Sequence, residues 1–110
     1  MGFMNRATKQ ITITRGDSGR AKILLRMDGE VYEMNDGDQI NFGVKKKYSD
    51  TECLVEKTYT ENPFVLAIDP EDTKPLDFGS YVWDLQLVTA DGYTKTLIAK
   101  KDFKVTEEVV

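Results

Sequence analysis

Apolar and polar residues alternate along most of this chain, which is the pattern of β-strands that bury one face. The alternation is clearest over Ile11–Thr14, Ala21–Met27, Ile40–Val44, Phe64–Ile68 and Tyr81–Val88. Turn residues separate these segments, and two Asp-Gly pairs, at 28–29 and 91–92, are strong hairpin signals. About seven or eight short strands, spaced roughly 8 to 12 residues apart, predict an all-β protein built as an antiparallel two-sheet β-sandwich.

One short helical turn interrupts the strands near residues 70–74. Asp69 is a good N-cap residue, and Pro70 follows at the first helical position. Asp72 lies three residues after the cap, and Glu71 is also favourable to the positive end of the helix dipole. Because Pro75 cannot continue a helix, we expect only a turn or two.

The segment from Asp77 to Tyr81 has the Asp-x-Gly-x-Tyr form of a tyrosine corner, which is typical of immunoglobulin-like sandwiches. Gly79 provides the turn, and the Tyr81 hydroxyl is expected to bond back to the residues before it. Trp83 follows in phase with Tyr81, so both are predicted core residues. The indole would then occupy the place of the disulfide of antibody domains, consistent with the single cysteine, Cys53.

The segment from Cys53 to Tyr59 has mixed polarity on both faces, which suggests an edge strand. Val55, Lys57 and Tyr59 share one of these faces. The lysine run at 45–47 and the Asn62-Pro63 pair resemble the devices that guard exposed strand edges. We therefore predict that Val55, Lys57 and Tyr59 form an exposed contact surface for self-association or for another protein.

The length of 110 residues fits one domain, predicted over residues 9–106. Residues 1–8 are expected to be a flexible lead-in, and residues 107–110 a C-terminal tail. The longest apolar run, Phe64–Ile68, is far shorter than the roughly 20 residues of a membrane helix. We find no signal peptide, so we expect a soluble protein that is cytoplasmic when synthesised and has no membrane partner.

Composition removes several classes of function. The net charge of −4 disfavours nucleic acid as a partner, and the absence of histidine removes the usual general base and the imidazole ligands of zinc. No carboxylate pair is singled out for catalysis, and two acidic sets lack the spacing of an EF-hand: Asp36 with Asp38, and Asp69 with Glu71 and Asp72. Arg15-Gly16-Asp17 is read as a turn. We expect no enzymatic activity, no metal and no cofactor.

A carbohydrate-binding module is the alternative from another functional class. Aromatic side chains can stack on sugars, and a sandwich can carry them. Tyr48 and Tyr93 lie beside predicted turns and are therefore free for such a role.

Several motifs together resemble a known group of domains; they are Ile11–Asp17, Phe42–Lys46, Ile68–Thr73, Gly79–Leu87 and Phe103–Val105. In this combination the chain resembles small structural domains of tailed phages and prophages of Gram-positive bacteria, such as the N-terminal domain of the phage baseplate upper protein. The resemblance implies an immunoglobulin-like fold and a role in assembly without catalytic residues. It implies other phage structural proteins, or further copies of this chain, as partners, and the virion as the final location.

Overall fold

The computed structural model describes residues 3–107, and strands dominate it. The predicted all-β class is confirmed. The first two residues of the expected lead-in and the last three of the expected tail lie outside the described residues. In chain order the elements are β1 (Ile11–Thr14), β2 (Gly19–Ile23), β3 (Arg26–Met27), β4 (Glu30–Val31), β5 (Gln39–Lys45), β6 (Val55–Tyr59), β7 (Phe64–Ile68), α1 (Pro70–Thr73), β8 (Gly79–Val88) and β9 (Thr94–Thr106).

The main sheet has five strands in the order β1-β9-β8-β5-β6. Neighbouring strands are antiparallel except at one margin, where β1 runs parallel to β9 with Ile11 opposite Phe103. The sheet is therefore mixed, and the expectation of purely antiparallel pairing is wrong for β1. The alternation of apolar and polar residues does not reveal whether a strand runs parallel or antiparallel to its neighbour, because either arrangement can bury the same face.

A second, smaller pair of strands, β2 and β7, supplies the other side of the core. Ala21 from β2 and Leu66 from β7 belong to the same buried cluster as Phe42, Trp83 and Phe103 from the main sheet. The inward residues of β8 are buried at every second position, as the alternation predicts. One continuous apolar core therefore joins the two groups of strands.

The turns follow the local chemistry of the sequence. Asp28 and Gly29 both have positive φ, and they close the β3–β4 hairpin in which Met27 lies opposite Glu30. Helix α1 begins at Pro70, and the Asp72 carboxylate accepts the backbone N–H of Asp69 at 2.7 Å. The predicted helical turn is thus confirmed, one residue shorter at its C-terminal end.

Phe3 and Met4, which lie in the predicted lead-in over residues 1–8, pack against the domain, whereas residues 5–8 are exposed. Met4 is buried and pairs with Ile11 in an isolated β-bridge. Phe3 packs against the core, and the guanidinium of Arg6 donates to the carbonyl oxygen of Lys22. Within residues 3–107, no helix is long and apolar enough to cross a membrane.

Candidate functional site

The predicted corner and core residues hold the start of β8 in place. The Tyr81 hydroxyl donates a 2.7 Å hydrogen bond to the Asp77 carbonyl oxygen, and Gly79 between them has a φ of 138°. Trp83 is 1% exposed, and its Nε1–H donates to the carbonyl oxygen of Lys9 at 3.0 Å. These four residues, Asp77 and Gly79 with Tyr81 and Trp83, fasten the chain to itself, so their arrangement is that of a structural support.

Strand β6 lies at the edge of the main sheet, but Val55 does not form an exposed contact surface there. Val55 is only 4% exposed and belongs to the apolar core. The face that it shares with Lys57 and Tyr59 points inward, and the exposed apolar residue of this region is its neighbour Leu54. The expectation that Val55 anchors a partner is wrong, because its side chain is already covered by this chain.

Lys57 is occupied by an internal ion-pair cluster. Its Nζ lies 2.7 Å from a carboxylate oxygen of Asp72 and 3.3 Å from one of Asp69. Burial by itself lowers the pKa of Lys57, but the hydrogen bonds and charges of Asp72 and Asp69 outweigh burial and raise the pKa overall. The lysine therefore bridges edge strand β6 to helix α1.

Tyr59 closes the same side of the molecule. Its ring stacks on Phe64 with 4.5 Å between centroids, and its hydroxyl accepts the backbone N–H of Ala67 at 3.1 Å. Ala67 lies in β7, so Tyr59 bonds to the edge of β7 that faces away from β2. The three predicted contact residues Val55, Lys57 and Tyr59 thus join the two groups of strands, and a docking surface must be sought elsewhere.

The opposite margin of the main sheet carries a longer free edge. Strand β1 covers β9 only along Phe103–Thr106, and within residues 3–107 no strand lies beside the rest of β9 on that side. We call residues 94–101 the open β9 edge. Thr94, Lys95 and Thr96 are exposed, and two irregularities in the β8–β9 pairing lie beside this stretch. Open edges present backbone hydrogen-bonding groups that another strand can pair with.

One lysine of the open β9 edge, Lys100, lies near an aromatic ring. Lys100 has a positive φ of 54°, and its Nζ lies 5.8 Å from the Tyr48 ring centroid. The lysine run at 45–47 lies at the C-terminal end of β5. Because β5 is an inner strand of the main sheet, this run does not guard a sheet edge. Lys46 instead lies 4.5 Å from the centroid of the Tyr81 ring.

A second exposed feature is the β3–β4 hairpin with the residues that follow it, which we call the acidic hairpin (residues 26–33). Asp28, Glu30 and Glu33 are exposed there against the single cation Arg26. Val31 lies among them and is 46% exposed.

The Asn62 side chain holds the base of the acidic hairpin. Its Oδ1 accepts the N–H of Leu25, and its Nδ2 donates to the carbonyl oxygens of Leu25 and Tyr32. The acidic hairpin is therefore attached to the β6–β7 turn, in which Asn62 lies.

Asp38 ties the loops next to the acidic hairpin together. It is 3% exposed and accepts hydrogen bonds from the Tyr32 hydroxyl, the Asn35 N–H and the Ala90 N–H. The bond from Tyr32, followed by the bond from Asn35, lowers the pKa of Asp38. The same bond raises the pKa of Tyr32. The carboxylate therefore acts as an internal acceptor with its partners in place.

A shallow polar depression of about 330 Å³ lies on the outer face of the main sheet. Gly43 lies in its floor, where the Cys53 sulfur approaches the backbone closely, and Asn41, Asp84 and Gln86 line its sides. Burial raises the pKa of Asp84, against the opposing charge of Lys45. The two tyrosines of the carbohydrate hypothesis do not line this depression, because Tyr48 follows the end of β5 and Tyr93 precedes β9 at the other end of the sheet.

The chemistry of metals and thiols gives no additional site in the part of the chain that the structure describes. No group of three or more His, Cys, Asp or Glu residues among residues 3–107 could hold a metal ion. The half-buried Cys53 thiol has a raised pKa, first because of burial and then because of the charge of Glu56. A raised pKa leaves the thiol protonated and weakly nucleophilic at neutral pH.

Comparison with protein-family models, with curated proteins and with solved structures gives no match for this chain.

Proposed function

We propose that this chain is a non-enzymatic structural or assembly protein of a phage or prophage particle and acts through protein–protein contacts. The observation that carries the proposal is the open β9 edge. It combines unpaired strand backbone with exposed lysines and with two half-buried apolar side chains, Leu97 and Ile98. A strand from another chain can continue the sheet at such an edge.

The proposed fold is an immunoglobulin-like sandwich. The order β9-β8-β5-β6 corresponds to the larger sheet of variable-type domains. Strands β2 and β7 then correspond to two strands of the facing sheet. The bond from Tyr81 to Asp77 supports the same assignment. The resemblance of the sequence to phage structural domains then favours a tail, baseplate or virion accessory role, with synthesis in the cytoplasm before incorporation.

The internal chemistry supports a structural role. Among the described residues, every buried side-chain nitrogen and oxygen atom has a hydrogen-bond partner. The Asp38 carboxylate and the Lys57 ammonium group both take part in internal bonds that hold loops and strands together. Because these internal groups are already engaged, a partner would bind at the surface of the molecule.

The decisive experiment is to induce the prophage in the host that encodes the chain and to purify the particles on a density gradient. Peptide mass spectrometry should find the protein in the particle fraction in a fixed ratio to the major tail protein. Protein that remains in the soluble lysate, with none in intact particles, would overturn the proposal.

Carbohydrate binding is the second candidate, and the polar depression favours it. Amide and carboxylate groups of Asn41, Gln86 and Asp84 line the depression, and such groups suit the hydroxyl groups of a sugar. A glycan array should then give a hit that Gln86→Ala removes. An array without such a hit would exclude this candidate.

A further inference from the structure

We propose that copies of this chain assemble head to tail, with the acidic hairpin of one copy docking on the open β9 edge of the next. The inference rests on the proposed function as a structural protein and names the partner of the surface described there. It requires that the two surfaces match in backbone, charge and apolar content, and that they are different patches of the molecule.

The backbone requirement is met by two free strand edges. Strand β4 belongs to a two-stranded hairpin, and within residues 3–107 only β3 lies beside it. Among the described residues, the open β9 edge likewise has β8 on one side and no strand on the other. Two such edges can pair and extend the main sheet from one copy into the next.

The charges of the two surfaces are opposite. Lys95, Lys100 and Lys101 provide ammonium groups along the open β9 edge, and Lys95 and Lys100 are exposed. The acidic hairpin offers the exposed carboxylates of Glu30 and Glu33. Docking hairpin against edge places carboxylates among lysines, which favours both the encounter and the correct orientation.

The apolar content of the two surfaces also matches. Val31, between the two glutamates, is 46% exposed, and Leu97 and Ile98 are half-buried between the lysines. Contact between these side chains removes apolar surface from water on both partners. The exposed Val31 side chain therefore acquires a buried position only in the assembly.

The same charges disfavour a symmetric dimer. Two open β9 edges would bring six lysines together, and two acidic hairpins would bring their carboxylates together. Association of unlike surfaces is heterologous, so every added copy leaves one free hairpin and one free edge.

The position of the two surfaces allows repetition. The acidic hairpin is attached through Asn62 to the β6–β7 turn and, through the bonds that Asp38 accepts from Tyr32 and Ala90, to the β8–β9 turn. The open β9 edge lies at the margin of the main sheet away from β6, with β8 and β5 between. The hairpin and the edge are different patches of the same copy, so an assembly that pairs one with the other is a ring or a filament.

Sedimentation velocity of the purified chain over a range of concentrations tests the proposal. We expect association that weakens when NaCl is raised from about 0.05 M to about 0.5 M. Two variants, Lys95→Glu/Lys100→Glu and Glu30→Lys/Glu33→Lys, should each associate at least about tenfold more weakly, because each surface then meets its own charge. Circular dichroism and thermal melts verify that both variants are folded. The matched control, Lys74→Glu/Glu71→Lys, changes exposed charges on and beside α1 and should associate like the wild type.

Mixing the two charge-reversed variants is the sharper measurement. Each carries what the other needs, so the equimolar mixture should regain the association that the separate variants lose. A chain with all four substitutions should also regain it. A wild-type chain that stays monomeric at low salt, or a mixture that stays monomeric, overturns the head-to-tail inference. Either result leaves the particle experiment unaffected, so failure of the inference is distinguishable from failure of the proposed function.

Discussion

The Tyr81 hydroxyl donates a hydrogen bond to the Asp77 carbonyl oxygen. Removing this bond measures what the corner contributes to stability. Tyr81→Phe keeps the buried ring and removes only the bond. We expect a loss of about 0.5 to 1.5 kcal/mol in the free energy of unfolding, with the fold intact. Urea denaturation measures it. Tyr48→Phe removes a hydroxyl from an exposed ring and is the control. Equal midpoints for wild type and Tyr81→Phe would remove the argument for the corner.

Asp38 links the stability of the loops to pH. Its pKa in the folded protein is below the ordinary value of 3.8, so it contributes stability that is present above 3.8 and is lost as pH falls through the folded pKa. Asp38→Asn should be less stable than wild type at pH 7, because an amide cannot accept all three bonds.

The gap between wild type and Asp38→Asn should narrow as the pH falls below 3.8. Denaturation curves at a series of pH values measure this gap. Asp36→Asn removes a charge from an exposed position of the same loop and is the matched control. A gap that is constant down to pH 2 would contradict the role given to the Asp38 carboxylate.

At the scale of elements, Lys57 joins β6 to α1, and Lys57→Met tests that connection. The substitution keeps most of the aliphatic stem and leaves Asp72, which is partly buried, without its cation. We expect a loss of about 1 to 2 kcal/mol, between the values of exposed and buried ion pairs. Lys47→Met, at an exposed position, is the control. If both variants unfold at the same denaturant concentration, the ion-pair cluster is not a structural bridge.

The edge position of β6 could be predicted from the sequence, but the direction in which its faces point could not. Its edge position could be predicted, because both faces of the segment mix polar and apolar residues. The orientation could not, because Lys57 on the inner face looks like a surface residue until its partners are known. Those partners, Asp69 and Asp72, come from an element that the alternation of β6 cannot specify. Burial of Val55 followed from that orientation.

The open β9 edge was missed for a related reason. The length and alternation of β9 predict a strand, but they do not say how much of it a neighbour covers. Coverage depends on the short β1, which pairs in parallel with only the last part of β9. Features that depend only on residues near in sequence could be predicted. The Asp28-Gly29 hairpin and the helical turn at Pro70 both form as predicted.

For the whole molecule, the sequence predicts a domain starting at residue 9, and Phe3 and Met4 from before that boundary pack in or against the core. Met4 is 7% exposed, and its bridge to Ile11 lies at the start of β1. The carbonyl oxygen of Lys9, just after this segment, accepts the indole N–H of Trp83. The segment before β1 therefore provides the hydrogen-bond acceptor for the largest side chain of the core.

Met4→Ala should cost about 2 to 5 kcal/mol, the range for truncation of a buried methionine, because the surrounding residues can refill the space only in part. This cost is comparable to the whole stability of a small domain, so we expect a large shift of the thermal midpoint. Ser18→Ala, at an exposed position in the β1–β2 turn, is the control and should melt like the wild type. The fluorescence of Trp83 gives a second readout, since a looser N-terminal segment admits water to the indole and moves the emission to longer wavelength. A Met4→Ala protein with unchanged melting and emission would show that residues 3–8 are a loose lead-in after all.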